Sequence, residues 1–314
     1  HRLGANEAPP AIVSIYLGDE LEAVLKSIKD GTPYDSKSKS KMSIGVDVLP
    51  PIPKDSTDRN RTSPFAFTGN RCEFRSVGSA LSISGPNTTL NSILAYALKE
   101  YADELEKAVD FEKELQNLIK REITAHWRIV FDGNGYDEAW ITEAEKRGLL
   151  NLKTLPDAME QYLKPKNVRL YTEMGIYTEP EMESHYDIKL EKYCGILNIE
   201  VETMLEMIHK DILPASFSYM RAVGETAANV KNLLPDAKCR AECDILKKLD
   251  GLTDELAKKA EELSSTHIRI KKRSGIMEIA QGYAREVIPA MAEARAVADE
   301  IEPLLGENYK PFPS

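Results

Sequence analysis

Apolar positions recur along this chain with two different periods. Over roughly the first 95 residues they alternate or come in short bursts. Ile12, Val13 and Ile15 begin a β-branched run that passes through Gly18-Asp19 into a helical spacing of Leu21, Val24, Leu25 and Ile28. A polar loop, TPYDSKSKSK, follows, and then Ile44, Val46 and Val48 alternate as a strand that Pro50-Pro51 ends. Next, Arg71, Glu73 and Arg75 alternate with Cys72 and Phe74, so a strand here presents three charged side chains on one face. The turn-like SGPNTTL then leads into a helix predicted from about 90 to 122. Thr88 or Thr89 is its expected N-cap, and Leu94, Leu98, Leu105, Val109, Leu115, Leu118 and Ile119 form its apolar stripe.

From about residue 126 the composition shifts to helix formers, in DEAWITEAEKRGLL, LPDAMEQYL and the long stretch from Ser184 to Val223. Leu249, Leu252, Leu256, Ala260 and Leu263 repeat at spacings of 3, 4, 4 and 3. Ile276, Ile279, Tyr283, Val287, Met291, Ala294 and Ile301 keep a similar stripe, in which Pro289 predicts a kink. The expected fold is α+β and predominantly helical: a mixed region over 1–125, then a helical bundle over 126–314.

Charge narrows the choice of partners. The 314 residues carry a net charge of −10 and a pI near 5.2, which disfavours nucleic acid and an anionic membrane as main partners. No apolar run approaches the roughly 20 residues of a membrane span. The four cysteines are too sparse for a disulfide framework, so a reducing cytoplasm is expected. A chain opening on His1 and ending in YKPFPS reads as a piece of a longer polypeptide.

Several stretches invite a chemical reading and have a plainer one. Asp132, Asn134, Tyr136 and Glu143 fall at calcium-loop positions, but Tyr136 and Asp137 occupy places where that loop needs an oxygen ligand and a glycine. Acidic residues at a helix N-terminus explain the same letters. Cys239 and Cys243, four apart on a predicted helix, lack two further zinc ligands and read as core packing. His1, His126, His185, His209 and His267 show no metal spacing, and Arg269–Arg273 reads as a solvated basic face. No P-loop or dinucleotide glycine motif is present. Arg61, Arg71 and Arg75 around Glu73 are different, because guanidinium forks bind phosphates and carboxylates bidentately. Composition alone leaves anion recognition and a surface ion-pair ladder both open.

A resemblance bears on that choice. HRLGANEAPP is similar to R-L-x-x-G-Y-E-A-P of the glutamine synthetases, and RNRTSPFAF…NRCEFR is similar to that family's R-N-R-S…R-x-E-x-R, in the same order. NTTLNSILAYAL stands where the family has N-P-Y-L-A-x-A, and the overall form resembles the type III branch. These motifs span Arg2 to about Leu98. The resemblance implies the last strands of a catalytic domain over 1–125 and a helical extension used in assembly over 126–314. It implies ligation of glutamate and ammonia with ATP and Mg2+ or Mn2+, in the cytoplasm, by a ring-shaped homo-oligomer that is dodecameric in this branch. Glu73 matches a metal ligand and Arg71 an ATP-phosphate contact. Arg75 and Arg2 match glutamate contacts. Arg61 matches the arginine on the transferring phosphoryl group, and Glu7 the acid of a closing flap.

Three departures accompany the match. The interval from Arg2 to Glu7 is one residue short, and Ala66 stands where the family often has a second arginine. The family's other metal ligands lie upstream of the region matched, so this chain alone is expected to be inactive. A second reading makes it a helical oligomerisation module with a vestigial ligase segment.

Overall fold

The computed structural model describes residues 12–34, 41–42, 52–53, 63–68, 71–75 and 82–312. The fold is predominantly helical α+β, as the patterning predicts. It divides into two compact units: His1–Lys153 with Pro165–Thr178, and Thr154–Lys164 with Glu179–Ser314.

The first unit is built on a small sheet. Strand β1 (Ile15–Tyr16) runs parallel to β4 (Phe65–Phe67), and β4 pairs antiparallel with β5 (Cys72–Phe74). Ile15 also forms a parallel bridge to Val130. Ile12, Ser14 and Tyr16 are buried while Val13 is exposed, so the inward row runs through the even positions. Helix α1 (Asp19–Asp30) opens on Asp19, Glu20 and Glu22, which suit its positive end. It closes on Gly31, whose φ of 69° is the left-handed cap that glycine adopts without strain. A separate pair, β2 (Lys41–Met42) and β3 (Ile52–Pro53), is antiparallel. The strand expected over 44–48 lies outside the described residues.

The helix predicted over 90–122 is two helices, α2 (Ser84–Leu105) and α3 (Phe111–His126). Asp110 breaks them apart: its side chain accepts from Lys113 N at 3.2 Å and caps α3. Helix α2 begins earlier than expected because Pro86 sits in its first turn, where its missing N–H is harmless. Ser82 Oγ accepts from Ser84 N at 3.2 Å there, so Thr88 and Thr89 lie inside the helix rather than capping it. The Thr89 hydroxyl instead meets Tyr171 OH, 2.7 Å away on α6 (Pro165–Glu173). Of the predicted stripe, Leu118 is buried but Leu94, Leu98 and Val109 are exposed. Arg121 grips Glu104 with both terminal nitrogens, at 2.7 and 2.9 Å, and holds α3 to α2. Helix α4 (Glu138–Lys146) buries Trp140 against Phe131, stacked at 3.7 Å between centroids.

The second unit comprises α5 (Leu155–Tyr162), α7 (Glu179–Met207), α8 (Leu213–Leu233), α9 (Arg240–Lys271), α10 (Ile276–Gly282) and α11 (Ile288–Ile301). Its apolar stripes fill two clusters. Leu190, Leu197, Val201, Leu263, Ile270, Tyr283 and Val287 form one, and Ile208, Leu249, Leu256, Ala260, Ala294 and Ile301 the other. The stripes of α9 and α11 are covered within the unit itself. Two wide π turns, Ile208–Ile212 and Tyr283–Val287, interrupt its helices. In each, the residue before a proline bonds five back: Leu213 N–H to Ile208 O before Pro214, and Ile288 N–H to Tyr283 O before Pro289. The wider turn takes the ring without the clash an α-helical turn would impose.

Candidate functional site

The β4–β5 hairpin carries the charged row. Pro64 O accepts from Arg75 N at 2.8 Å and Arg71 O accepts from Thr68 N at 2.8 Å, so both ends of β5 are tied to β4. On that strand Glu73 meets two guanidiniums. Arg75 Nη2 donates to Glu73 Oε2 at 2.5 Å, and Arg71 Nη2 lies 3.7 Å from Glu73 Oε1. The two arginines differ in access. The Arg75 side chain is 23% exposed and Arg71 is 67% exposed, which leaves the Arg71 guanidinium open to an incoming anion. Ala66 sits opposite Glu73 across the strand pair and is fully buried. Cys72 is exposed, and partial desolvation pushes its thiol up, away from the reactive thiolate.

The structure therefore brings together Arg71, Glu73 and Arg75. Arg2, Glu7 and Arg61 lie outside the described residues. Glu73 offers one carboxylate, and both of its oxygens face guanidinium groups. Among the described residues no group of three or more His, Cys, Asp or Glu is arranged to hold a metal. A magnesium site needs near-octahedral oxygen ligation, so the described residues do not by themselves fit one. They do fit an anion: two cations on one strand, with one carboxylate fixing their spacing.

The other candidates take their plainer readings. Asp132 Oδ1 accepts from Leu17 N at 2.9 Å, Asn134 Oδ1 accepts from Tyr136 N at 3.0 Å, and Asp137 caps α4 through Ala139 N at 3.0 Å. Glu143 pairs with Arg147 at 2.8 Å, so the calcium-loop letters serve a helix start. Burial raises the Asp132 carboxyl, against the Leu17 N–H that favours its charge. Cys239 does not share the helix with Cys243. It precedes α9 with a left-handed φ of 42°, and its thiol lies 3.8 Å from Ala227 O. The basic run at 269–273 is only partly solvated. Glu286 takes Arg269 at 2.7 Å and Arg273 at 2.6 Å, and Ile270 is buried between them.

His267, isolated in the sequence, proves to be a buried polar tie. Its Nε2 lies 3.1 Å from both Asn198 Oδ1 and Tyr283 OH, which links α9 to α7 and to the π turn. Burial lowers its pKa, with Lys271 adding to the effect. Burial likewise pushes Tyr283 up to about 12 and Cys194 up to about 11. All three are therefore uncharged near neutrality, as a structural network requires.

Comparison with known proteins extends beyond the hairpin. Residues 114–231 match the glutamine synthetase C-terminal domain. The whole chain is 39% identical to a glutamine synthetase of Butyrivibrio fibrisolvens, covering 45% of that protein. It is 34% identical to the type-3 glutamine synthetase of Dictyostelium discoideum and 30% identical to a glutamine synthetase of Bacteroides fragilis, again over its full length and 44% of each relative. The chain thus spans a little under half the length of the curated relatives it matches. The domain match falls on helices in which no family motif was read, beyond the arginine row. The chain is related along its whole length to the glutamine synthetases, and residues 114–231 carry that family's C-terminal domain.

Proposed function

We propose that this chain supplies the arginine-rich part of the site of an ATP-dependent glutamate–ammonia ligase. The reading takes ATP as phosphoryl donor and Mg2+ or Mn2+ as its companion ion, to which Glu73 would give one of several oxygen ligands. The γ-carboxylate of glutamate attacks the terminal phosphorus of ATP, forming γ-glutamyl phosphate and releasing ADP. Ammonia then attacks the acyl carbon and expels phosphate, giving glutamine. Such a transfer depends on neutralising and positioning phosphate oxygens, the task to which guanidinium groups are suited. Arg71 would hold ATP phosphate, Arg75 and Arg2 the glutamate, and Arg61 the phosphoryl group in flight. Glu7 would close over the intermediate and take the proton from ammonium.

The observation that carries the reading is the Arg71–Glu73–Arg75 row on one strand, in a chain related to glutamine synthetases throughout. In this reading residues 1–125 serve catalysis and 126–314 serve a homo-oligomeric ring in the cytoplasm, although residues 126–153 pack with the first unit. Among the described residues no helix is long and apolar enough to cross a membrane.

The test uses a full-length protein that contains this segment. Arg71→Ala and Glu73→Ala should each lower glutamine formation by about a hundredfold or more, the scale of losing a positioned charge in a transfer site. Unchanged turnover in both would overturn the assignment. The 314-residue chain alone should form no glutamine. Activity from it would overturn the view that ligands beyond this chain complete the site.

A further inference from the structure

The turn from β1 into α1 is fastened by an acid from a distant part of the chain. Gly18 makes the bend with φ 80° and ψ 153°, a conformation that a residue carrying a Cβ rarely adopts. Beside it runs the Val130–Asp132 segment, bridged to β1 at Ile15, whose carbonyl accepts from Phe131 N at 3.0 Å. Asp132 Oδ1 accepts from Leu17 N at 2.9 Å, and the Gly18 N–H also favours its charge. The carboxylate thus stands at the positive end of α1, where an anion is stabilised.

The second oxygen is differently placed. Among the described residues Asp132 Oδ2 is buried and receives no hydrogen bond from an N–H or a hydroxyl. The group within hydrogen-bonding reach is another acid, Glu22, in the first turn of α1. Burial raises the Glu22 carboxyl, and Asp132 beside it adds to the rise. Asp19 pushes both acids the same way, while exposed Lys26, four residues after Glu22, opposes it. The cations of the neighbouring elements are held elsewhere. Arg147, which donates to Val130 O at 2.9 Å, is paired with Glu143, and Lys120 of α3 lies by Gly31 at the far end of α1. Among the described residues no three acidic, His or Cys groups converge to hold a metal. Two half-buried carboxyls side by side do not both ionise readily; one proton between them satisfies the orphaned oxygen and removes their repulsion.

We propose that Glu22 and Asp132 share a single proton, carried by Glu22 and donated to Asp132 Oδ2, and that it locks the β1–α1 junction onto the Val130–Asp132 segment. Glu22 is the carrier because Asp132 has the backbone donors that favour an anion. As pH rises the Glu22 O–H ionises, its proton passes to water, and two carboxylates are left to repel across the junction. A carboxyl raised by folding contributes fully below its ordinary value of 4.5, and its contribution declines as pH climbs through the folded value. The junction is therefore firmest in mild acid and loosens above it. Since β4 pairs with β1 and β5 with β4, it lies at the end of the sheet that bears the arginine row.

The experiment follows backbone hydrogen exchange by mass spectrometry in a full-length protein that contains this segment. It reads the peptide over residues 15–25 at about pH 5 and about pH 8, corrected for the intrinsic exchange rate. Protection should fall about tenfold or more from the lower to the higher pH, the scale of one unit of raised pKa. Glu22→Gln, whose amide donates to Asp132 without a titrating proton, should remove that dependence and keep the junction protected at both values. Wild-type protection that does not change between them, or a dependence that survives in Glu22→Gln, would overturn the proposal. The inference does not rest on the ligase reading, since its readout is local exchange rather than turnover.

Discussion

In the second unit the chain puts its long stripes inside and ion pairs outside, and the stripe of α9 finds its cover within the unit: Leu249, Leu256 and Leu263 are fully buried. In the first unit the β4–β5 hairpin carries two cations and an acid on one short strand, and α2 leaves Leu94 and Leu98 in the open. One unit is organised to hold itself together. The other holds a charge pattern whose outer member, Arg71, adds little to stability, because an ion pair made by an exposed side chain contributes little. A residue's weight in stability and its weight in chemistry should therefore separate cleanly between the two.

The largest effect should come from the second core. Leu256→Ala should lower unfolding stability by about 2–5 kcal/mol, the range for truncating a fully buried leucine, read from the urea midpoint. A loss below about 1 kcal/mol would mean that the unit is loosely packed. Next in size is the cap that separates α2 from α3. Asp110→Ala should cost about 1 kcal/mol in the same assay, since the Lys113 N–H loses its acceptor.

A third test titrates the buried tie. His267 has its folded-state pKa lowered from 6.5, so in the window below 6.5 the unfolded chain binds the proton first. Its contribution is complete above 6.5 and declines as pH falls toward the folded value; below that it changes no further. The wild type should lose more stability than His267→Gln between pH 7 and pH 5, and parallel curves would remove His267 from the network. The smallest effect should be Arg71→Ala, within about 0.5 kcal/mol of wild type by thermal melt, although the same change is expected to abolish most turnover in the full-length protein. A large melting shift would turn the arginine row into a structural feature and erase the contrast between units.

Legibility followed the same divide. The stripes of α9 and α11 could be read because burial at a 3.6-residue period leaves a repeat in the letters, and the charged row because a strand alternates. Polar α6, with PKNVRLYTE, leaves no such trace and went unread. The break at Asp110 was hidden because apolar residues run on through it: Leu105 and Val109 continue the spacing although Val109 is wholly exposed. Pro289 marked a disturbance, but the same disturbance before Pro214 was not visible, since a wide turn depends on backbone bonding rather than on side-chain period. The family's C-terminal domain lay in helices whose periodicity is generic, whereas the hairpin carried motifs particular to the family.

The wide turn before Pro214 also fixes phase. A helical defect of this kind could slide along the rod, but the proline just beyond it anchors it at Ile208–Ile212. The buried rows of α7 and α8 are thus held at one angular offset, with the extra residue taken up inside the turn. Deleting a single residue there would let the turn tighten to α-helical spacing and bring the Pro214 ring against the carbonyl four residues before it.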